Sequence, residues 1–124
     1  MAARHVLVAL VAALAACGGP AAPTLTTGLT GVVVRGPITP VCQVQTPCEA
    51  PFAAMFSVNQ NGREISQFAS DANGRFTVHL QPGTYTVVPG PTAPILAPQS
   101  QVKSVQVLSS GLTEVRLEFD TGIR

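Results

Sequence analysis

Few side chains in this chain could do chemistry. Cysteines stand at Cys17, Cys42 and Cys48, and histidines at His5 and His79. Cys42 and Cys48 are separated by five residues in a proline-rich stretch, Val41-Cys42-Gln43-Val44-Gln45-Thr46-Pro47-Cys48. Such a pair could bind a metal, carry out redox exchange or close a disulfide. A metal site needs closer spacing and further ligands, and His79 is the only histidine beyond the first few residues. Nucleophilic catalysis needs a nucleophile, a base and an orienting group. His79 alternates with apolar neighbours in a way that turns it away from a core, as a solvated strand residue. Asp71-x-Asn73-Gly74 has the start of a calcium loop, but no closing glutamate follows at the required distance, so it reads as a turn. No catalytic, metal or cofactor set emerges, and a ligand-binding set is unknown at this level.

Cys17 differs from the other two by what precedes it. Met1-Ala2-Ala3-Arg4-His5 is a short basic start, and Val6 to Ala16 is an unbroken apolar run. As a helix those residues would rise only about 16 Å, against a bilayer core of ~30 Å. The pattern is that of a secretory signal with small residues before the cut. Leu14-Ala15-Ala16-Cys17 resembles the bacterial lipobox, in which the cysteine is lipidated and becomes the mature N-terminus. The resemblance implies a signal peptide over 1–16 and two or three acyl chains, palmitate among them, on Cys17. A single chain holds a membrane only weakly, so several are needed for stable anchoring. Gly18 follows, where aspartate often retains such proteins at the inner membrane. The expected location is therefore the outer membrane or the cell surface. Residues 17–28 have small side chains, prolines and no charge, and read as a tether. In an exported chain disulfides persist, so Cys42 and Cys48 are expected to bond to each other.

The elements that hold these residues are strands. From Cys17 to Arg124 there are 108 residues, enough for one domain, 29–124, with a modest core. Acids and bases balance without a run of either sign, which excludes a nucleic-acid surface. The absence of tryptophan and the single tyrosine weigh against a large aromatic sugar platform. Glycine and proline, eleven of each, punctuate the chain at short intervals and suggest a sandwich or barrel. Leu29 to Arg35 is the first expected strand. Alternation of Phe52, Ala54, Phe56 and Val58 marks a second, turned by Asn59-Gln60-Asn61-Gly62. Arg63 to Ala69 is a third, with Ile65 and Phe68 off the period of two, which predicts a bulge or an edge. Asn73-Gly74 reads as a type I′ turn. Phe76, Val78 and Leu80 then face inward while Arg75, Thr77 and His79 face water. Pro82-Gly83 predicts a hairpin into a fifth strand with Tyr85 and Val87 inward. Pro89 to Pro98 is a loop. Val105 and Val107 anchor a sixth strand, and Val115, Leu117 and Phe119 a seventh.

Asp71-x-x-Gly74-x-Phe76, followed by Leu80-x-Pro82-Gly83-x-Tyr85, resembles the core motif of carboxypeptidase regulatory-like domains. These are transthyretin-like (prealbumin-like) sandwiches. The resemblance implies an all-β, seven-stranded antiparallel sandwich of Greek-key type. It departs between the first and second strands, where a Pro-Leu-x-Gly-Ala segment is replaced by the cysteine loop. The fold also includes a hydrolase of a purine-breakdown intermediate, which uses several histidines and a Tyr-Arg-Gly-Ser ending. Here the chain ends Thr121-Gly122-Ile123-Arg124, and that resemblance fails. The expectation is a non-catalytic bacterial lipoprotein, held to the membrane by its lipid, that scaffolds or docks another, unknown envelope protein, with a hydrolase the least expected reading. The alternative is a carbohydrate- or peptide-binding module with a glycan as partner.

Overall fold

The computed structural model describes residues 25–124; the signal segment, Cys17 and most of the tether lie outside them. The described residues form eight strands. These are β1 (Gly28–Gly36), β2 (Ala50–Pro51), β3 (Met55–Gln60), β4 (Arg63–Ala69), β5 (Arg75–His79), β6 (Gly83–Pro89), β7 (Lys103–Val107) and β8 (Leu112–Asp120). They make two sheets. In the first, β1 is central: β5 and the two-residue β2 lie along one side of it and β8 along the other. The second has the order β4-β3-β6-β7. The molecule is an all-β sandwich.

Its core is the sum of the alternations. Leu29 and Val33 from β1, Phe56 and Val58 from β3, Val78 from β5, Val87 from β6, and Leu117 and Phe119 from β8 are all buried between the sheets. Phenylalanines run through the layer in contact. Phe68 stacks on Phe76 at 4.3 Å and on Phe56 at 4.9 Å, and Phe119 meets Phe52 edge to face at 5.9 Å.

Several expectations need correction. The strand count is eight rather than seven, because β2 adds a short pairing with Val34 and Arg35. The sandwich is not wholly antiparallel: β1 and β8 run parallel over nine residue pairs, Gly28 with Leu112 through Gly36 with Asp120. The Pro82-Gly83 turn does not make a hairpin. β5 pairs with β1 in one sheet, and β6 pairs with β3 and β7 in the other. Gln81-Pro82-Gly83 is a corner between sheets, closed by the Tyr85 hydroxyl donating to the Gln81 carbonyl at 2.6 Å. A buried tyrosine needs such a partner for its hydroxyl.

Asn73-Gly74 is not a type I′ turn, since Gly74 has φ 74° and Asn73 is not among the residues with positive φ. The turn is closed one step earlier, by the Gly74 N–H donating to the Asp71 carbonyl at 2.8 Å. The two-residue turn with both φ values positive is at Asn61 (53°) and Gly62 (79°), joining β3 and β4. There the register slips between Val58 and Asn59, and Ile65 is the extra residue opposite. β4 is also an edge strand, so both readings of that irregularity hold. Finally, Thr27 and Gly28, assigned to the tether, belong to the folded body. Thr27 is buried, its hydroxyl donates to the Leu80 carbonyl at 2.6 Å, and its own carbonyl accepts the Leu80 N–H at 3.1 Å.

Candidate functional site

The residues singled out for chemistry do not converge. His79 is exposed at the end of β5, opposite Gly28, and its side chain makes no hydrogen bond or ion pair among the described residues. Asp71 serves its own turn: one carboxylate oxygen accepts the N–H of Asn73 at 2.9 Å and of Arg75 at 3.0 Å. Among the described residues no group of three or more histidine, cysteine or acidic side chains could hold a metal ion. Nor is any helix there long and apolar enough to cross a membrane.

The residues of the Asp71–Tyr85 motif are structural. Gly74 is held at positive φ, and a Cβ there would run into the Val33 carbonyl oxygen, because Val33 donates its N–H to the Gly74 carbonyl at 2.8 Å. Only glycine meets both conditions. Phe76, Leu80 and Tyr85 are buried. A motif whose members all build the scaffold leaves the function to other parts of the surface.

Cys42 and Cys48 are paired at disulfide distance, with Cα atoms 5.5 Å apart. Their loop returns over the outward side of β1, where it and Val34 line a hollow of about 660 Å³ with Pro37, Glu118 and Phe119. Val34 faces away from the main core yet is only 5 % exposed. The loop is tied down at its base. Ile38 donates its N–H to the Cys48 carbonyl at 2.9 Å, and Glu49 pairs with Arg116 of β8. Arg116 also reaches Glu118 at 2.9 Å. All three side chains of this chain of charges are about half exposed or more, so it fixes position more than it stabilises.

Two other irregular segments lie at the same end as the cysteine loop, the loop after β6 and the short C-terminal segment after β8. The loop after β6 is pinned by Ala93 and Ile95, both buried. Arg35 donates to its Pro94 carbonyl at 3.1 Å. The loop is tied to the end of β8: Gln101 donates to the carbonyls of Leu96 (2.6 Å) and Asp120 (2.9 Å) and accepts the Asp120 N–H at 2.8 Å. Thr121 then bonds the Gly36 and Pro37 carbonyls at 3.0 and 2.7 Å. Arg124 grips the Asp120 carboxylate at 3.0 Å. That bond and the Gly122 N–H hold the Asp120 carboxyl down at about 2.

These three segments lie at the end of the sandwich where β1 finishes. At the other end, where the chain enters β1, the connections are tight turns at Asn61-Gly62, Gln81-Pro82 and Ser109-Gly111. Sequence reasoning located the cysteine loop and the proline loop but missed how each is anchored, Pro37 by Thr121 and Pro94 by Arg35. No local signal carries that information, because the residues of contact are 84 and 59 positions apart.

A second surface is the outward face of the first sheet. It holds an open depression of about 1190 Å³ lined by Thr30, Val32, Arg75, Thr77, Glu114 and Arg116. Thr30 and Thr77 share a hydrogen bond of 3.0 Å there.

No protein-family model matches the chain, and no curated protein matches it. Among solved structures it is similar to a DUF3823 family protein from Bacteroides ovatus, with a TM-score of 0.44 and 17 % identity. The match covers 72 % of this chain and 43 % of that one, so the chain spans less than half the length of that neighbour.

Proposed function

We propose that this chain is a non-catalytic, lipid-anchored module of the cell envelope that docks another envelope protein, built on a carboxypeptidase regulatory-like domain of the transthyretin type. The observation that carries the reading is the polarity of the body. The chain enters at an end made of tight turns, and the long, braced loops gather at the opposite end. β1 has nine residues, and at about 3.3 Å each it sets the two ends roughly 26 Å apart. A lipid on Cys17 would hold the first end toward the membrane and leave the loops directed away from it, as presentation to a partner requires. Loops on a rigid scaffold are where binding residues concentrate.

The chain's aromatic residues favour a protein partner over a glycan. All five phenylalanines and Tyr85 are buried, and there is no tryptophan, so no exposed ring offers a sugar a stacking face. The test is chemical cross-linking of the full chain in intact envelopes, set beside retention on peptidoglycan and glycan beads. Protein adducts without bead retention are expected. Bead retention without protein adducts would replace this reading with a glycan-binding one.

A further inference from the structure

At the loop end, one residue stands out by its exposure. Val44 is 89 % exposed and Val41 71 %, in a domain whose other valines on β1, β3 and β6 are mostly buried. Val44 sits at a corner of the turn Gln43–Thr46, closed by the Thr46 N–H donating to the Gln43 carbonyl at 3.2 Å. Its neighbour Gln45 has φ 67°, a conformation that non-glycine residues seldom adopt. The turn lies inside the ring closed by Cys42 and Cys48, so the valine is held out on a short, covalently closed support.

We infer that this ring is a docking plug, Val44 foremost, that seats in an uncharged apolar cleft of a second protein. The inference rests on the docking reading above and specifies its face and the partner's chemistry. Three observations choose the occupant. Residues 36–48 and 88–102, the two long loops of this end, contain no charged residue. Anionic lipid headgroups and acidic glycans are bound through arginine and lysine, which these loops lack. Of the nearby charges, Arg116 pairs with Glu49 and Arg124 with Asp120, while Arg35 is turned to the Pro94 carbonyl and Lys103 lies over the Phe119 ring. No aromatic side chain is exposed among the described residues, which removes the usual anchors for a bilayer interface and for sugar rings. What remains is a stiff β-branched side chain flanked by neutral hydrogen-bonding groups, Gln43, Gln45 and Thr46. That combination fits an apolar pocket with amide or hydroxyl partners at its rim. A pre-closed ring also has little freedom left to lose on binding.

The test places a photo-reactive amino acid, in the full chain in living cells, at Val44, at Thr77 and Thr86 on the two sheet faces, or at Ser110 at the opposite end. Position 44 is expected to give a single protein adduct whose cross-linked peptide maps to an uncharged concave surface of the partner. Val41→Asp should reduce that adduct at least tenfold while leaving the thermal midpoint in place. Adducts at position 44 to lipid, to glycan or to a second copy of this chain would each overturn the plug. So would a protein adduct that Val41→Asp leaves unchanged. Adducts only at Thr77 or Thr86 would overturn the plug and leave the docking reading standing; no protein adduct at any of the four would remove both.

Discussion

Phe76 and Thr77 are neighbours in the chain and face opposite ways. Phe76 is 5 % exposed and stacks on Phe68, whereas Thr77 is exposed beside Thr30. This much was legible, because a period of two in side-chain polarity follows directly from the pleat of a half-buried strand. Truncating a buried phenylalanine costs about 3–5 kcal/mol, a large part of the roughly 5–15 kcal/mol that holds a domain. Thr77→Ala should stay within about 1 kcal/mol, the span of β propensity. Urea midpoints of the two variants should therefore differ sharply, and equal shifts would remove the case for a two-faced strand. Asp120 offers a second test. The Arg124 guanidinium, then the Gly122 N–H, favour its charged form and depress its pKa from 3.8 to about 2. A depressed carboxyl contributes stability that is present above 3.8 and lost as pH falls through about 2. Carboxyl-carbon NMR should show Asp120 titrating near the lower value, and Arg124→Ala should move it upward. A titration that ignores Arg124 would deny the C-terminal clamp. Nothing in the sequence announced that clamp, since a charged pair four residues apart in an irregular tail has no periodic signature.

Strands were legible as elements, but their partners were not. Turn chemistry at Pro82-Gly83 says that the chain changes direction and nothing about whether the next strand joins the same sheet. The result is a corner, with β5 and β6 in different sheets. The parallel pairing of β1 with β8 joins residues more than eighty positions apart, beyond the reach of any local rule. The cysteine loop is the element where local reading went furthest, because five intervening residues suit a closed ring. In the chain-entropy model so short a closure contributes roughly 2–3 kcal/mol. The structure adds a second contribution, since the loop lines a hollow with Val34 on the outer side of β1. Alkylation of unreduced, denatured protein should leave Cys42 and Cys48 unmodified, and reduction should expose both. The double variant Cys42→Ser, Cys48→Ser should lower the unfolding midpoint and raise amide exchange at Val34 more than at Val58. Two free thiols in the unreduced protein would show the loop to be open.

At the scale of the molecule, the proposed direction of the body relative to a membrane rests on one residue, Cys17. β1 begins at Gly28, and Thr27 is the last residue upstream that the fold clearly uses, through both of its bonds to Leu80. Between Cys17 and Thr27 there are nine residues, which extended would reach about 30–35 Å. A lipid on Cys17 would thus keep the tight-turn end within one tether length of the bilayer. The loop end, roughly 26 Å further along β1, would then be the part that meets other proteins. The case for that lipid is sequence alone: an apolar run ending in Leu14-Ala15-Ala16-Cys17. Each buried methylene contributes about 0.8 kcal/mol, so two or three acyl chains hold firmly where one does not. Cells fed a labelled fatty-acid analogue should label the wild-type chain, and the label should be absent from Cys17→Ala. The same variant should move from the membrane fraction to the soluble fraction, or accumulate with its leader uncut. Its folded body should be unchanged, because the core is built from Leu29 onward. Equal labelling of both chains would place the lipid elsewhere or nowhere, and the loops would then lose their reason to be at the far end.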